Sequence, residues 1–468
     1  MKTKPYKHQA DEFGLYDEEV RALFWEPGTG KTKVIIDTAC QMYKDGSIDG
    51  LFVLAPNGVH RNWVSDELPI HCWDEIVPWT KTHIWYSNKS GSRATAHEMQ
   101  MLVDWQGLSI LVMSYPAMMT ERGKDAAKSF LMNRECLYVL DESTKIKSPR
   151  AKTTKRVLAS GQYATYRRIL TGTPVANSPM DLYTQLKFLE PHVWEGYGCK
   201  TYSAFKTYFG NWELAITAGG QRYERCLGYR NLGLLSKIMV AFGSRVTKDE
   251  ALDLPEKIYQ KRYYVLSPQQ RKHYDTLKTE FMLELENGKF IDAALAIVRL
   301  LRLQEIICGR TISLKENPRL ALLKEVLDED NSKAIIWCRF TKDIDAVMDL
   351  FGEEAVYIDG RVVDQARNEA VDAFQKENRY RFLVANTAAI SEGLTLTAAT
   401  TEVYYSNSFN LVQRLQSEDR CHRIGQHHSV RIVDLIAEGT IDEKIVESLR
   451  EKRKIADQIV GDGLRQWL

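Results

Sequence analysis

At 468 residues the chain is too long for one hydrophobic core, so two or three domains are expected. An apolar fraction of 44%, a charged fraction of 27% and a net charge of +1 describe an ordinary globular protein with no global pull toward polyanions, so any polyanion site must be a local cluster. No apolar run approaches the ~18 residues of a bilayer span. The eight cysteines and ten histidines form no C-x-x-C or H-E-x-x-H pattern, which argues against a zinc framework or disulfide scaffold and suits a reducing cytoplasm.

The amino-terminal MKTKPYKHQADEF lacks an apolar core and reads as mature protein rather than a signal peptide. Short apolar runs then alternate with longer amphipathic stretches, the pattern of parallel-sheet α/β units. Buried strands are predicted at 22–25, 51–56, 109–114, 137–142 and 167–172, and a second series at 333–338, 355–360, 381–386, 402–406 and 430–435. Two series imply two doubly wound lobes, set at 1–244 and 245–468, with RVTKDEALDLPEK (245–257) as the hinge. Between them the text is rich in aromatics and helix formers. Helical insertions are expected near 180–244 and 267–310, around a polar glycine-containing stretch at 217–225.

Three strand ends carry chemistry. EPGTGKT (26–32) follows a strand and opens a helix-like run, the context a phosphate-binding loop requires. Gly28 and Gly30 permit the curvature that turns N–H groups onto phosphate, with Thr29 between them; Lys31 would reach the β- and γ-phosphates of ATP, and Thr32 would ligate Mg²⁺. LDEST (140–144) places Asp141 and Glu142 where an α/β sheet keeps its reactive groups. Asp141 would hold Mg²⁺ and Glu142 would orient the attacking water. LTGTP (170–174) offers Thr171 and Thr173 as sensors of the γ-phosphate.

QSEDRCHRIGQ (416–426) sets Arg420 and Arg423 three apart, on one face of a helix or tight turn, as arginine fingers would be. Gln416, one turn earlier, is placed to contact ribose or phosphate. Cys421 and His422 find no second ligand pair, so a metal site fails on count; a solvated charged face stays open as the alternative.

The block DRCHRIGQ resembles the D-R-x-H-R-I-G-Q signature of the Swi/Snf ATPases of helicase superfamily two. PYKHQ (5–9), LAPNGVHRNW (54–63), VMSYPAM (112–118), LDESTKIKSPRAK (140–152), LTGTPVANSPMDLYTQLKFLEP (170–191), LLRLQEIICG (300–309), YIDGRVVDQARNEAVDAF (357–374) and GTIDEKI (439–445) resemble further family motifs in order. In NTAAISEGLTL (386–396) Gly393 is kept, whereas Ile390 and Glu392 depart from the family, as do Thr144 (usually histidine) and Trp25 (usually acidic).

The resemblance implies two RecA-like lobes with ATP bound between them, Gln9 recognising adenine, and Gly393 near the nucleotide. It also implies double-stranded DNA tracked by its phosphates, through Asn57, Arg61, Trp63, Ser114, Tyr115, Lys145, Lys147, Arg339, Thr341 and Thr387. The expected activity is ATP hydrolysis coupled to movement along duplex DNA. The alternatives are a strand-separating helicase or fork and branch remodeller, and a non-motor DNA clamp. The helical insertions would grip DNA or a protein partner, and the lack of appended modules fits a bacterial, viral or mobile-element source.

Overall fold

The computed structural model describes residues 1–57, 59–216, 222–252, 254–286, 293–309, 317–362, 364–387 and 394–460. It divides into two compact units. The first takes Met1–Gly210 and residues 229–253, together with the end of the chain from Lys454; the second takes residues 211–228 and Leu254–Arg453.

The first unit is built on a seven-stranded sheet: β1 (Val20–Trp25), β2 (Gly50–Ala55), β3 (Thr80–Ile84), β4 (Leu108–Ser114), β5 (Cys136–Asp141), β6 (Tyr166–Leu170) and β9 (Gly243–Val246). Their order is β3-β4-β2-β5-β6-β1-β9, and every pairing is parallel. The central strands are buried on both faces, so they read as continuous apolar runs. On β2, Leu51, Val53 and Ala55 join one core with the helix Lys31–Lys44, while Phe52 turns to the other face against Phe130 and Tyr138.

The hairpin strands β7 (Gly210–Ile216) and β8 (Arg222–Tyr229) form a separate two-stranded sheet. The second unit carries β10 (Lys257–Tyr264), β11 (Ala334–Trp337), β12 (Ala355–Ile358), β13 (Phe382–Ala385), β14 (Thr401–Tyr404) and β15 (Val430–Ala437), in the order β10-β15-β14-β11-β13-β12, again all parallel. Along β11, Ala334 and Ile336 enter one core, and Ile335 and Trp337 the opposite one. The fold is therefore α/β in two parallel-sheet lobes.

All ten predicted strands are present, and three more lie at sheet edges. β3 (TKTHI) and β10 (KIYQKRYY) are polar or charged, as edge strands often are to discourage pairing with other chains, so they carry no apolar run to recognise. β9 takes in the start of the expected hinge segment: Arg245 and Val246 pair with Phe24 and Trp25 at the edge of the first sheet, and the second unit resumes at Leu254, within 245–257. Gly243 is needed there, because a Cβ would lie 1.8 Å from the Ala22 carbonyl oxygen. The insertion region is mostly helical as expected, with the β7–β8 hairpin as the exception.

Candidate nucleotide and nucleic-acid site

The order β1-β6-β5 sets the glycine loop and the two acids one strand apart at the same edge of the sheet. Leu170 pairs with Leu23 on one side and Asp141 on the other. Gly28 and Gly30 both have φ of 86°, a region costly for residues with a Cβ. Gly30 caps the helix Lys31–Lys44, which places Lys31 and Thr32 in its first turn, where the helix dipole favours anions. The Lys31 ammonium donates to the carbonyls of Trp25 (2.8 Å) and Glu26 (3.3 Å), folding back along the loop it would serve.

Gln9 is buried against the same loop. Its amide donates to the Thr29 carbonyl at 3.1 Å and accepts from the Tyr6 N–H at 3.0 Å, while His8 reaches the Thr29 carbonyl at 2.9 Å. A Cβ at Gly30 would fall 2.1 Å from the Gln9 amide nitrogen. The Thr29 hydroxyl closes the loop onto the Glu26 carbonyl at 2.8 Å.

Asp141 ends β5 and accepts a 2.9 Å bond from the Trp63 indole, while Tyr115 donates to its backbone carbonyl at 2.8 Å. These two bonds give Trp63 and Tyr115, expected at the DNA face, a place beside Asp141. Both residues are buried, at 1% and 4% exposure, and support the acid. Ser114, at the end of β4, is buried as well.

Glu142 sits at φ 53°, ψ 59°, in the left-handed region that a glutamate occupies at a cost of order 1–3 kcal/mol. Its carboxylate accepts from the Thr171 hydroxyl at 3.4 Å. The sequence reading missed the support behind this turn. Gln185 accepts from the Ser143 hydroxyl (2.7 Å) and donates to the carbonyls of Pro174 (2.8 Å) and Asp181 (2.7 Å), joining the LDEST turn to the LTGTP loop. Asp181 in turn receives the N–H groups of Ala176 (3.0 Å) and Asn177 (2.7 Å). The only hint in the sequence was helical text following LTGTP. Thr144 is buried in the same turn.

In the second unit the helix Leu411–Cys421 carries Gln416 and Arg420, and Arg423 lies just past its end. The turn closes through Gly425 at φ 98°, and Gln426 donates to the carbonyls of Ala399 (2.8 Å) and Thr397 (3.2 Å). Arg423 donates to the Leu394 carbonyl at 3.0 Å. Cys421 is buried, its thiol pushed well above the ordinary value by desolvation and donating to the Ala399 carbonyl. Its chemistry is that of a core residue.

Of the other residues expected to meet DNA, Asn57, Arg61, Lys145 and Thr341 are exposed, and Lys147, Arg339 and Thr387 are half-buried. Arg61 lies over the Tyr86 ring, 5.4 Å from its centroid. Arg339 donates to Gln304, and its backbone N–H donates to the Ser406 hydroxyl at 2.8 Å. Gly393, Ile390 and Glu392 fall outside the described residues. Among the described residues no group of three or more His, Cys, Asp or Glu side chains could hold a metal, and no helix is long and apolar enough to cross a membrane.

Residues 20–311 match the SNF2-related domain and residues 318–425 the helicase conserved C-terminal domain. The chain is 25% identical, over 96% of its length and 42% of the relative's, to human SWI/SNF-related matrix-associated actin-dependent regulator of chromatin subfamily A member 1. It is 26% identical, over 87% of its length and 43% of the relative's, to the putative ATP-dependent helicase/translocase YwqA of Bacillus subtilis. An uncharacterised ATP-dependent helicase of Mycoplasma pneumoniae is 24% identical over 92% of the chain and 39% of that protein. The chain thus spans about two fifths of the length of these relatives. The Sulfolobus solfataricus SWI2/SNF2 ATPase core, solved with double-stranded DNA, aligns over 99% of this chain and 94% of its own at 23% identity and a TM-score of 0.43. By its domain content, a SNF2-related domain followed by a helicase C-terminal domain, the chain belongs to the SNF2-related family.

Proposed function

We propose that this protein is a DNA-dependent ATPase that moves along double-stranded DNA. The observation that carries the reading is Glu142, held in a left-handed conformation directly after Asp141 and one strand from the glycine loop. Backbone strain of this kind persists where the surrounding structure holds a residue for function, and a carboxylate beside a phosphate-binding loop suits the orienting of a water. The donor set suits Mg²⁺, because Thr32 and Asp141 offer only hard oxygens and a carboxylate plus substrate phosphates is how such sites hold it. Bound there, Mg²⁺ would neutralise phosphate charge. Lys31 and the loop N–H groups hold the phosphates, Gln9 lies beside the loop for the base, and Glu142 takes the proton of the attacking water. Arg420 and Arg423, permanently charged, supply the positive charge that phosphoryl transfer demands.

The relatives named as helicases and translocases support nucleic acid as the polymer. Arg61, Lys145 and Lys147 offer phosphate contacts without base reading. The test is ATP turnover with no nucleic acid, single strand, duplex, forked DNA and RNA, joined to triplex displacement. Stimulation by duplex, with release of the third strand and no separation of the duplex, is expected. Turnover no higher with duplex than without it overturns the proposal, and release of single strands from forked DNA would make the protein an unwinding helicase instead.

A further inference from the structure

The segment that carries Arg420 is gripped from the strand by which the chain enters the second unit. Pro255, Lys257 and Tyr259 are spaced two apart, so along an extended chain they address one side. The Pro255 carbonyl accepts from His422 at 2.6 Å. The Lys257 ammonium lies 3.4 Å from Glu418 and 3.3 Å from Asp419. The Tyr259 hydroxyl donates to Glu418 at 2.7 Å. These partners, at 418, 419 and 422, bracket Arg420 on both sides.

The grip is anchored behind. Glu418 divides its oxygens between Tyr259 with Lys257 on one and Arg414, at 2.8 Å, on the other. Arg414 is itself paired with Asp434 on β15 at 2.5 Å and stacked on Tyr404. The side chains of Glu418 and Arg414 are 2% and 8% exposed. Charges this dry hold their geometry, because withdrawing one partner strands the other without water. None of Pro255, Lys257, Tyr259 or Glu418 has a part in the chemistry proposed above.

We infer that Lys257 and Tyr259, acting through Glu418 and Asp419, are positioning residues for Arg420, and that they tie its placement to the strand at which the chain crosses from the first unit into the second. The inference rests on Arg420 acting in ATP hydrolysis. Leu254 opens the longer stretch of the second unit, and the contacts of Pro255, Lys257 and Tyr259 join the chain just after it to the Arg420 segment.

The experiment uses the full chain with duplex DNA and compares Tyr259→Phe, Lys257→Met and Lys257→Arg, each alone and combined with Arg420→Ala, in steady-state ATP turnover and thermal unfolding. Lys257→Met is expected to lower kcat by about 10–100-fold with KM for ATP little changed, as loss of a group that orients a reacting side chain does. Lys257→Arg should restore most of that loss, and Tyr259→Phe, which keeps the fold, should show a smaller fall in kcat. In the Arg420→Ala background none of the three should lower kcat further, because their effect passes through the missing group. Losses that multiply with that of Arg420→Ala overturn the inference, as does an unchanged kcat in Tyr259→Phe. If Arg420→Ala itself turns over ATP like the unmodified chain, the role of Arg420 falls and this inference falls with it.

Discussion

Asp141 and Glu142 are neighbours in sequence but are governed by different forces. Asp141 is braced by Trp63, 78 residues away, and its carboxylate orientation depends on that indole. Trp63→Phe keeps the packing and removes the bond, so apparent Mg²⁺ affinity in the ATPase assay should weaken by about 10-fold or more, the usual effect of removing a partner behind a metal ligand. Glu142 is marked by its left-handed backbone and accepts from the Thr171 hydroxyl. Glu142→Gln should bind ATP and fail to turn it over. Glu142→Gly, which fits φ 53° without strain, should also be inactive while gaining up to about 1 kcal/mol in urea unfolding. A Glu142→Gly variant less stable than the parent would show that the left-handed residue stores no strain. The sequence revealed both acids through their place after an apolar run. It did not reveal Trp63 as their support, because a tryptophan after a strand reads equally as surface or core.

The element that most needs its neighbours is the turn Ser143–Ile146. Gln185, on the helix Leu182–Leu189, satisfies the Ser143 hydroxyl and two loop carbonyls at once. Gln185→Leu fills the space but leaves buried polar groups unmatched, so it should cost about 1–3 kcal/mol in urea unfolding at an unchanged m-value. An equally stable variant would mean that water replaces the amide. At the sheet edge, Gly243→Ala must displace β9 from β1, since the clash is with a backbone oxygen that cannot turn aside. Such edge elements escape sequence reading because their polarity, which keeps other chains off, is also what hides them. The central strands were legible for the opposite reason: burial on both faces leaves only apolar residues.

Across the whole second unit, buried charge links its strands to its helices. Glu402, on the central strand β14, is fully buried; desolvation, with Glu418 adding, pushes its carboxyl up to about 8 against the pull of the Trp337 indole, Lys257 and Arg414. Its folded value therefore lies above the ordinary 4.5, so the folded chain holds a proton that the unfolded chain releases. Stability from this group is present below about pH 4.5 and is lost as pH rises to about 8, at no more than about 1.4 kcal/mol per pH unit. Glu402→Gln, which still accepts from Trp337, should flatten that slope in urea midpoints taken between pH 5 and 9; a parallel slope would place the proton elsewhere. The amino-acid sequence alone determined the α/β class, the two parallel-sheet lobes and the strand ends at which the candidate residues stand, because strand burial and glycine loops are local patterns. Only the tertiary structure decided which side chains stand behind those strand ends. Trp63 under Asp141, Gln185 under the LDEST turn and Lys257 against Glu418 each meet a partner distant along the chain, and no local pattern records which of two buried groups will share a hydrogen bond.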